Sequence, residues 1–134
     1  MQPADQAGDT DRIIQRLLQA ARKVHAALGP GFLENVYGRA FLWELKECGF
    51  DVEREKLIKI WYGSQLVGKH RLDLVVDQTV ILELKANRGI VPVHLAQMRS
   101  YLQATGFAFG VILNFGLAEL QWEVIWREIA DKPD

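Results

Sequence analysis

The chain has 134 residues, 49% of them hydrophobic and 25% charged, which suits one globular core and leaves little for a second. That composition excludes a wholly disordered chain or a coiled coil, no apolar run is long enough to span a bilayer, and the polar N-terminus has no signal-peptide core. The single cysteine, Cys48, excludes an internal disulfide framework and fits a reducing, cytoplasmic setting, and the net charge of −1 excludes a uniformly basic polyanion binder.

Along the chain, residues 1–8 are small and polar and are expected to fray, residues 9–128 to form a single domain, and residues 129–134 to be a tail. Asp9 or Thr10 is placed to cap a first helix. Its apolar positions Ile13, Ile14, Leu17, Leu18, Ala21, Val24 and Leu28 repeat every 3.6 residues, and Gly29-Pro30-Gly31 stops it. A second helix is expected from about Leu33 to Cys48, ended by Gly49. Phe50–Glu53 and Leu57–Tyr62 then read as two short strands. Gly63-Ser64 reads as a turn, and Leu66–Val76 and Thr79–Lys85 as a hairpin around Asp77-Gln78. Pro92 opens a third helix that Gly106 closes at Thr105. Phe107–Asn114 is apolar throughout, as expected of a strand covered on both faces, and Leu120–Trp126 reads as a last strand or short terminal element. The order α-α-β-β-β-α-β predicts a mixed sheet with a parallel, right-handed crossover between the strands ending at Lys85 and beginning at Phe107. Between Arg54 and Arg99 eight Lys/Arg face four acids, an excess of +4, while the remainder carries −5. A basic middle of this kind permits a local polyanion-binding face, and a solvated sheet carries lysines as well.

The hairpin holds the densest chemistry. A turn centred on Gln78 sets Asp73 opposite Glu83, with Val75, Ile81 and Lys85 on the same face. Leu72, Leu74, Val76, Val80, Leu82 and Leu84 then fill the other. Two opposed carboxylates repel by about 4 kcal/mol at 4 Å and an effective dielectric near 20, so a cation is expected to compensate: Lys85, Arg71 or a bound divalent ion. A hard cation such as Mg²⁺ takes one or two carboxylates with waters and phosphate oxygens, and an adjacent lysine then holds the attacking water. An ordinary polar hairpin face also carries Glu-x-Lys. Glu34 supplies a third acid beside the stripe of its helix, where it equally complements the helix dipole. His94, Gln97 and Tyr101 share one helix face, opposite Leu95, Met98 and Leu102. Tyr37 lies at the centre of an apolar stripe and is read as core. Gly31 serves the turn between helices. The glycines around Pro30 lack the Gly-Lys-Ser/Thr of a phosphate loop. His25, His70, His94 and Cys48 lack zinc-ligand spacing, and no Ser-His-Asp arrangement is supported.

In five ordered blocks the chain resembles the GxxExxY protein family, a branch of the PD-(D/E)XK nuclease superfamily. The blocks are Gly31-Phe-Leu-Glu34-Asn-Val-Tyr37, Arg71-Leu-Asp73-Leu-Val-Val, Ile81-Leu-Glu83-Leu-Lys85, Pro92-Val-His94-Leu-Ala-Gln97 with Tyr101-Leu, and Leu113-Asn114-Phe115-Gly116. The resemblance spans about residues 10–126. It implies a restriction-endonuclease-like α/β fold, an αβββαβ core with a mixed central sheet flanked by helices. It also implies a divalent-metal-dependent nuclease, DNA before RNA, with Mg²⁺ or Mn²⁺ on Asp73, Glu83 and the Leu84 carbonyl. Lys85 then activates the water, Glu34 completes the acidic cluster as a further metal ligand, and Gln97 and Tyr101 support the site. His70 stands where the family pattern has an aromatic, a departure read as one of local packing. The alternative is a non-enzymatic module on the same fold that binds nucleic acid or protein. Four tryptophans, Trp122 and Trp126 among them, offer an interface for a partner or a second copy, and core packing explains them equally. No membrane partner is expected.

Overall fold

The computed structural model describes residues 4–128. Its elements are α1 (Ala4–Leu28), α2 (Glu34–Glu47), β1 (Val52–Tyr62), β2 (Gln65–Val76), β3 (Val80–Lys85), α3 (Pro92–Thr105), β4 (Phe109–Asn114) and β5 (Gln121–Trp126). The expected tail over 129–134 lies outside the described residues. Helix α1 begins at Ala4 rather than at the cap expected at Asp9 or Thr10. The residues expected to fray thus extend it, since alanine and glutamine are good helix formers and an aspartate suits the first turn. Gly29 (φ +67°) ends α1 with its N–H on the His25 carbonyl at 2.8 Å, and Gly31 (φ +116°) completes the turn into α2. The Tyr37 hydroxyl donates to the Gly29 carbonyl and accepts from Phe32 N–H. Its fully buried ring stacks on Phe115 at 4.8 Å. One aromatic of α2 therefore locks the α1–α2 turn onto the core.

The five strands lie in sequence order. β3 and β4 are parallel, and every other pair is antiparallel. The fold is α/β, a mixed sheet flanked by helices, with α2-β1-β2-β3-α3-β4 as its αβββαβ core. On one face α1 and α2 pack Leu17, Tyr37, Phe41 and Leu45 onto Leu74, Leu82, Phe109 and Leu113. On the other, α3 packs Met98 and Leu102 onto Ile58, Leu72, Val75 and Ile81. Each buried side chain of this size contributes roughly 1.5–3 kcal/mol, so both faces hold the sheet.

Two departures from the expected strands position the site. The strands expected at 50–53 and 57–62 are one strand, β1, which stays paired with β2 through a left-handed residue, Glu55 (φ +54°). By register Glu55 lies opposite Asp73. Around this pair the alternation of side chains slips by one residue on both strands. Val52, Leu74 and Val76 face α1 and α2, whereas Ile58 and Leu72 face α3. Leu72 is therefore on the face opposite Leu74 and not, as strict alternation predicts, beside it. Helix α3 opens at Pro92 and is closed by left-handed Gly106 (φ +76°), both as read from the sequence. Leu120–Trp126 resolves as strand β5, whose Trp122 and Trp126 lie on the α1 side, under Arg22 and against Phe109 respectively.

Candidate active site

The hairpin register matches the expectation: Val76 pairs with Val80, Val75 with Ile81 and Leu74 with Leu82. One step further, where Asp73 meets Glu83, side chains replace the ladder. The Leu84 N–H donates to Asp73 Oδ2 at 2.8 Å, and the Asp73 N–H donates to Glu83 Oε1 at 3.4 Å. The opening follows from the slip at Glu55 and Asp73, which turns β2 against a β3 that keeps its alternation. The two carboxylates meet at this seam, Asp73 toward α2 and Glu83 toward α3. They do not share one flat face as drawn from alternation.

Glu83 is buried with only 8% of its surface exposed. Burial first, and then the Asp73 charge, push its carboxyl up to about 9, with Lys85 opposing. Of the two side chains expected to compensate, Lys85 and not Arg71 acts on Glu83, and it offsets only part of the rise. His70 Nε2 lies 3.9 Å from Glu83 Oε1 and is buried without a hydrogen-bond partner among the described residues. Burial holds the His70 imidazole below its ordinary pKa against the pull of Asp73, so near neutral pH it adds little positive charge.

Two small clefts flank the seam. That toward α2, of about 170 Å³, is lined by Glu34, Asn35, Gly38, Glu55, Asp73 and Leu84. At Gly38 an added Cβ would meet Leu84 Cδ1 at 3.5 Å, an ordinary van der Waals contact between α2 and β3. The cleft toward α3, of about 180 Å³, is lined by His70, Glu83, Lys85, His94, Gln97 and Tyr101. Burial and the Glu83 and Asp73 charges raise the Tyr101 hydroxyl's pKa, keeping it a neutral donor. His94 Nδ1 accepts the Val91 N–H at 3.1 Å, and burial and Lys85 lower its pKa against Glu34.

The structure therefore brings Asp73, Glu83, Leu84 and Lys85 together on adjacent strands, with Gln97 and Tyr101 across one cleft and Glu34 across the other. It does not gather Glu34 with Asp73 and Glu83: among the described residues no three His, Cys, Asp or Glu side chains form a metal-ligating group. Two lining residues escaped the sequence reading. His70 stacks face to face on Tyr101 at 4.1 Å and walls the Glu83 cleft, so its departure from the family pattern alters the site and not just packing nearby. Glu55 escaped because nothing in the sequence marks a left-handed glutamate within a strand.

The segment after Lys85 is held by Asn114, which is fully buried. Its Oδ1 accepts the N–H groups of Asn87 and Gly116 at 3.1 and 3.0 Å. Its Nδ2 donates to the Asn87 carbonyl at 3.1 Å and to Gln121 Oε1 at 3.2 Å. All four hydrogen-bonding positions of the amide are used. The Phe115 N–H on the Lys85 carbonyl at 2.8 Å completes the clasp.

Over residues 11–126 the sequence matches the PD-(D/E)XK nuclease superfamily. The chain belongs to that superfamily. Among solved structures it resembles one titled "Crystal structure of SSO0001", with a TM-score of 0.57 and 17% identity, over 72% of this chain and 50% of that one. It also resembles an alkaline exonuclease (LHK-Exo) from Laribacter hongkongensis, with a TM-score of 0.50 and 19% identity, over 70% of this chain and 55% of that one. The chain spans about half the length of either, and at such identity the likeness is one of fold. A search of curated proteins finds no match. Among the described residues no helix is long and apolar enough to cross a membrane.

Asp73 followed by Glu83-Leu-Lys85 has the order and spacing that the superfamily's name describes. The superfamily implies a divalent metal, and the donors at the seam fit one. They are all oxygen, as a hard cation requires, and the buried Glu83 carboxyl is destabilised as an anion by the neighbouring Asp73. Two carboxylates would make a partial shell, the kind that leaves positions for water and substrate.

Proposed function

We propose that this protein is a divalent-metal-dependent nuclease of the GxxExxY branch, acting on DNA in preference to RNA in the cytoplasm. The observation that carries this reading is the seam itself: Asp73 and Glu83 in contact on adjacent strands, with Lys85 two residues along β3. Asp73, Glu83 and the Leu84 carbonyl would hold Mg²⁺ or Mn²⁺, and Glu34 adds negative charge across the cleft without being a direct ligand. Bound there, the ion supplies Lewis acidity toward a phosphodiester oxygen and makes a neighbouring water more acidic. Lys85 orients the attacking water and balances the charge that develops on the phosphate oxygens. Tyr101 and Gln97 line the other cleft, beside Glu83 and Lys85, where they would donate hydrogen bonds to the substrate, and His70 keeps the Tyr101 ring in place by stacking. The basic stretch from Arg54 to Arg99 supports a nucleic-acid substrate, since phosphate neutralisation dominates such affinity.

The test is cleavage of end-labelled single- and double-stranded DNA and RNA with Mg²⁺, Mn²⁺ or EDTA, with wild type and Lys85→Ala purified in parallel. Metal-dependent cutting is expected, lost by at least about 100-fold in Lys85→Ala and Asp73→Ala with the fold retained by circular dichroism, and reduced less in Glu34→Gln. Equal cutting by wild type and both alanine variants sinks the mechanism. Metal binding without turnover on any nucleic acid favours a non-enzymatic binding module on this fold.

A further inference from the structure

The β2–β3 ladder covers only Leu74–Val76, so the β1–β2 ribbon over residues 56–72 is paired within itself, and toward the Gly63-Ser64 turn it runs past the end of β3 as a two-stranded arm. One face is packed under α3 through Ile58 and Leu72. The other, on the side of the Glu34–Asp73 cleft, is uncovered and presents Leu57, Lys59, Trp61, Leu66, Lys69 and Arg71, all exposed. The arm contains Lys56, Lys59, Lys69 and Arg71 and no acidic residue. Lys59 is paired directly with Lys69, a juxtaposition of like charges that weakens the ribbon by itself. At the tip, Trp61 is 56% and Tyr62 78% exposed, flanking the Gly63-Ser64 turn.

Directly paired cations beside an unburied indole complement a polyanion that also offers flat apolar rings. A duplex hides its base faces, whereas an unpaired strand presents them for stacking. We propose that this ribbon face is a platform for single-stranded nucleic acid, with Lys59, Lys69 and Arg71 neutralising phosphates and Trp61 stacking on an unpaired base. It rests on the nuclease reading and names the strand that enters the site. Trp61 is six residues along the ribbon from the Glu55–Asp73 position, about 20 Å, so the platform binds substrate without touching the bond that breaks.

The experiment has two arms. Binding of fluorescein-labelled single-stranded and duplex DNA is followed by anisotropy against salt in a Lys85→Ala background. Cleavage is followed with Lys85 intact. Lys59→Ala/Lys69→Ala is expected to lower single-strand affinity and to make the salt slope shallower by about 1.4. Trp61→Ala is expected to lower single-strand affinity about tenfold and duplex affinity little. Both variants should raise KM and leave kcat within about twofold, with unchanged circular dichroism. Unchanged affinity and KM in an enzyme that still cuts overturn the platform and leave the nuclease reading standing. Binding lost in the variants of a protein that cuts nothing supports the platform and removes the nuclease. Equal losses on duplex and single strand overturn the single-strand assignment. A dimer that Trp61→Ala dissociates, with nucleic-acid affinity unchanged, gives this face to a second copy and overturns the proposal.

Discussion

Glu83 carries the largest electrostatic imbalance at the site. A buried carboxyl whose pKa rises from 4.5 toward about 9 binds its proton more tightly in the folded chain than in the unfolded one. Between those two values the folded state holds the extra proton, so without metal the protein should lose stability as pH rises from about 4.5 to about 9 and lose no more from this group above that. Glu83→Gln keeps the shape and removes the charge. In EDTA it should therefore be more stable than wild type at pH 8, by about 1–3 kcal/mol, and the two should converge near pH 4. Thermal melts of both proteins across that range check it. A constant difference at every pH would mean that packing, not ionisation, sets the effect. The same residue should be indispensable for cutting, so the variant separates stability from activity in opposite directions.

At the level of elements, the loop joining β3 to α3 is fixed by the end of β4 and the turn at Phe115-Gly116. A Cβ at Gly116 comes 2.5 Å from both the backbone N and O of Asn87, contacts that only a shift of main chain relieves. At Gly110 the atoms in the way belong to the Met98 side chain, which bends. Gly116→Ala should thus cost at least about 2 kcal/mol and Gly110→Ala less. Because Asn87 is two residues past Lys85, Gly116→Ala should also cut activity beyond what its lost stability explains. Urea melts and cleavage rates at a temperature where both variants remain folded test the pair, and equal costs would contradict the distinction. Helices and turns were legible because their signals are local: the 3.6-residue stripe of α1, Pro92 and Gly106 around α3, Gly63-Ser64 between β1 and β2. The hairpin register was legible too, since the Asp77-Gln78 turn and the apolar alternation of 74–76 and 80–82 allow one pairing. The slip at Glu55 and Asp73 was not, because a left-handed glutamate carries no sequence mark and is held by the tertiary context. Every error about which face Leu72 or Asp73 occupies traces to that one residue.

Over the whole molecule, the site sits where the two cores meet, and neither core alone would build it. Leu74 and Leu84 anchor the seam to α1 and α2, while Leu72 and Ile81 anchor it to α3. The acidic pair was legible in the sequence as a pair of positions. His70 against Tyr101 was not, since contacts between β2 and α3 depend on how the helix packs across the sheet. An ion held between strands that serve both cores binds the folded chain and has no preformed site in the unfolded one, so its binding free energy adds to global stability. At a Mg²⁺ concentration ten times its dissociation constant the gain is about 1.4 kcal/mol, which for a domain of this size raises the melting temperature by roughly 3–6 °C. The same addition should do nothing for Asp73→Asn/Glu83→Gln, which already lacks the repulsion the ion relieves. Lys85→Ala should keep the shift or enlarge it, because both carboxylates stay in place and lose the lysine charge that offsets their repulsion. Melting curves with Mg²⁺, with Mn²⁺ and after EDTA decide the matter without any substrate. A wild type indifferent to both ions would remove the metal from the seam, and a shift that survives in the double variant would move it elsewhere in the chain.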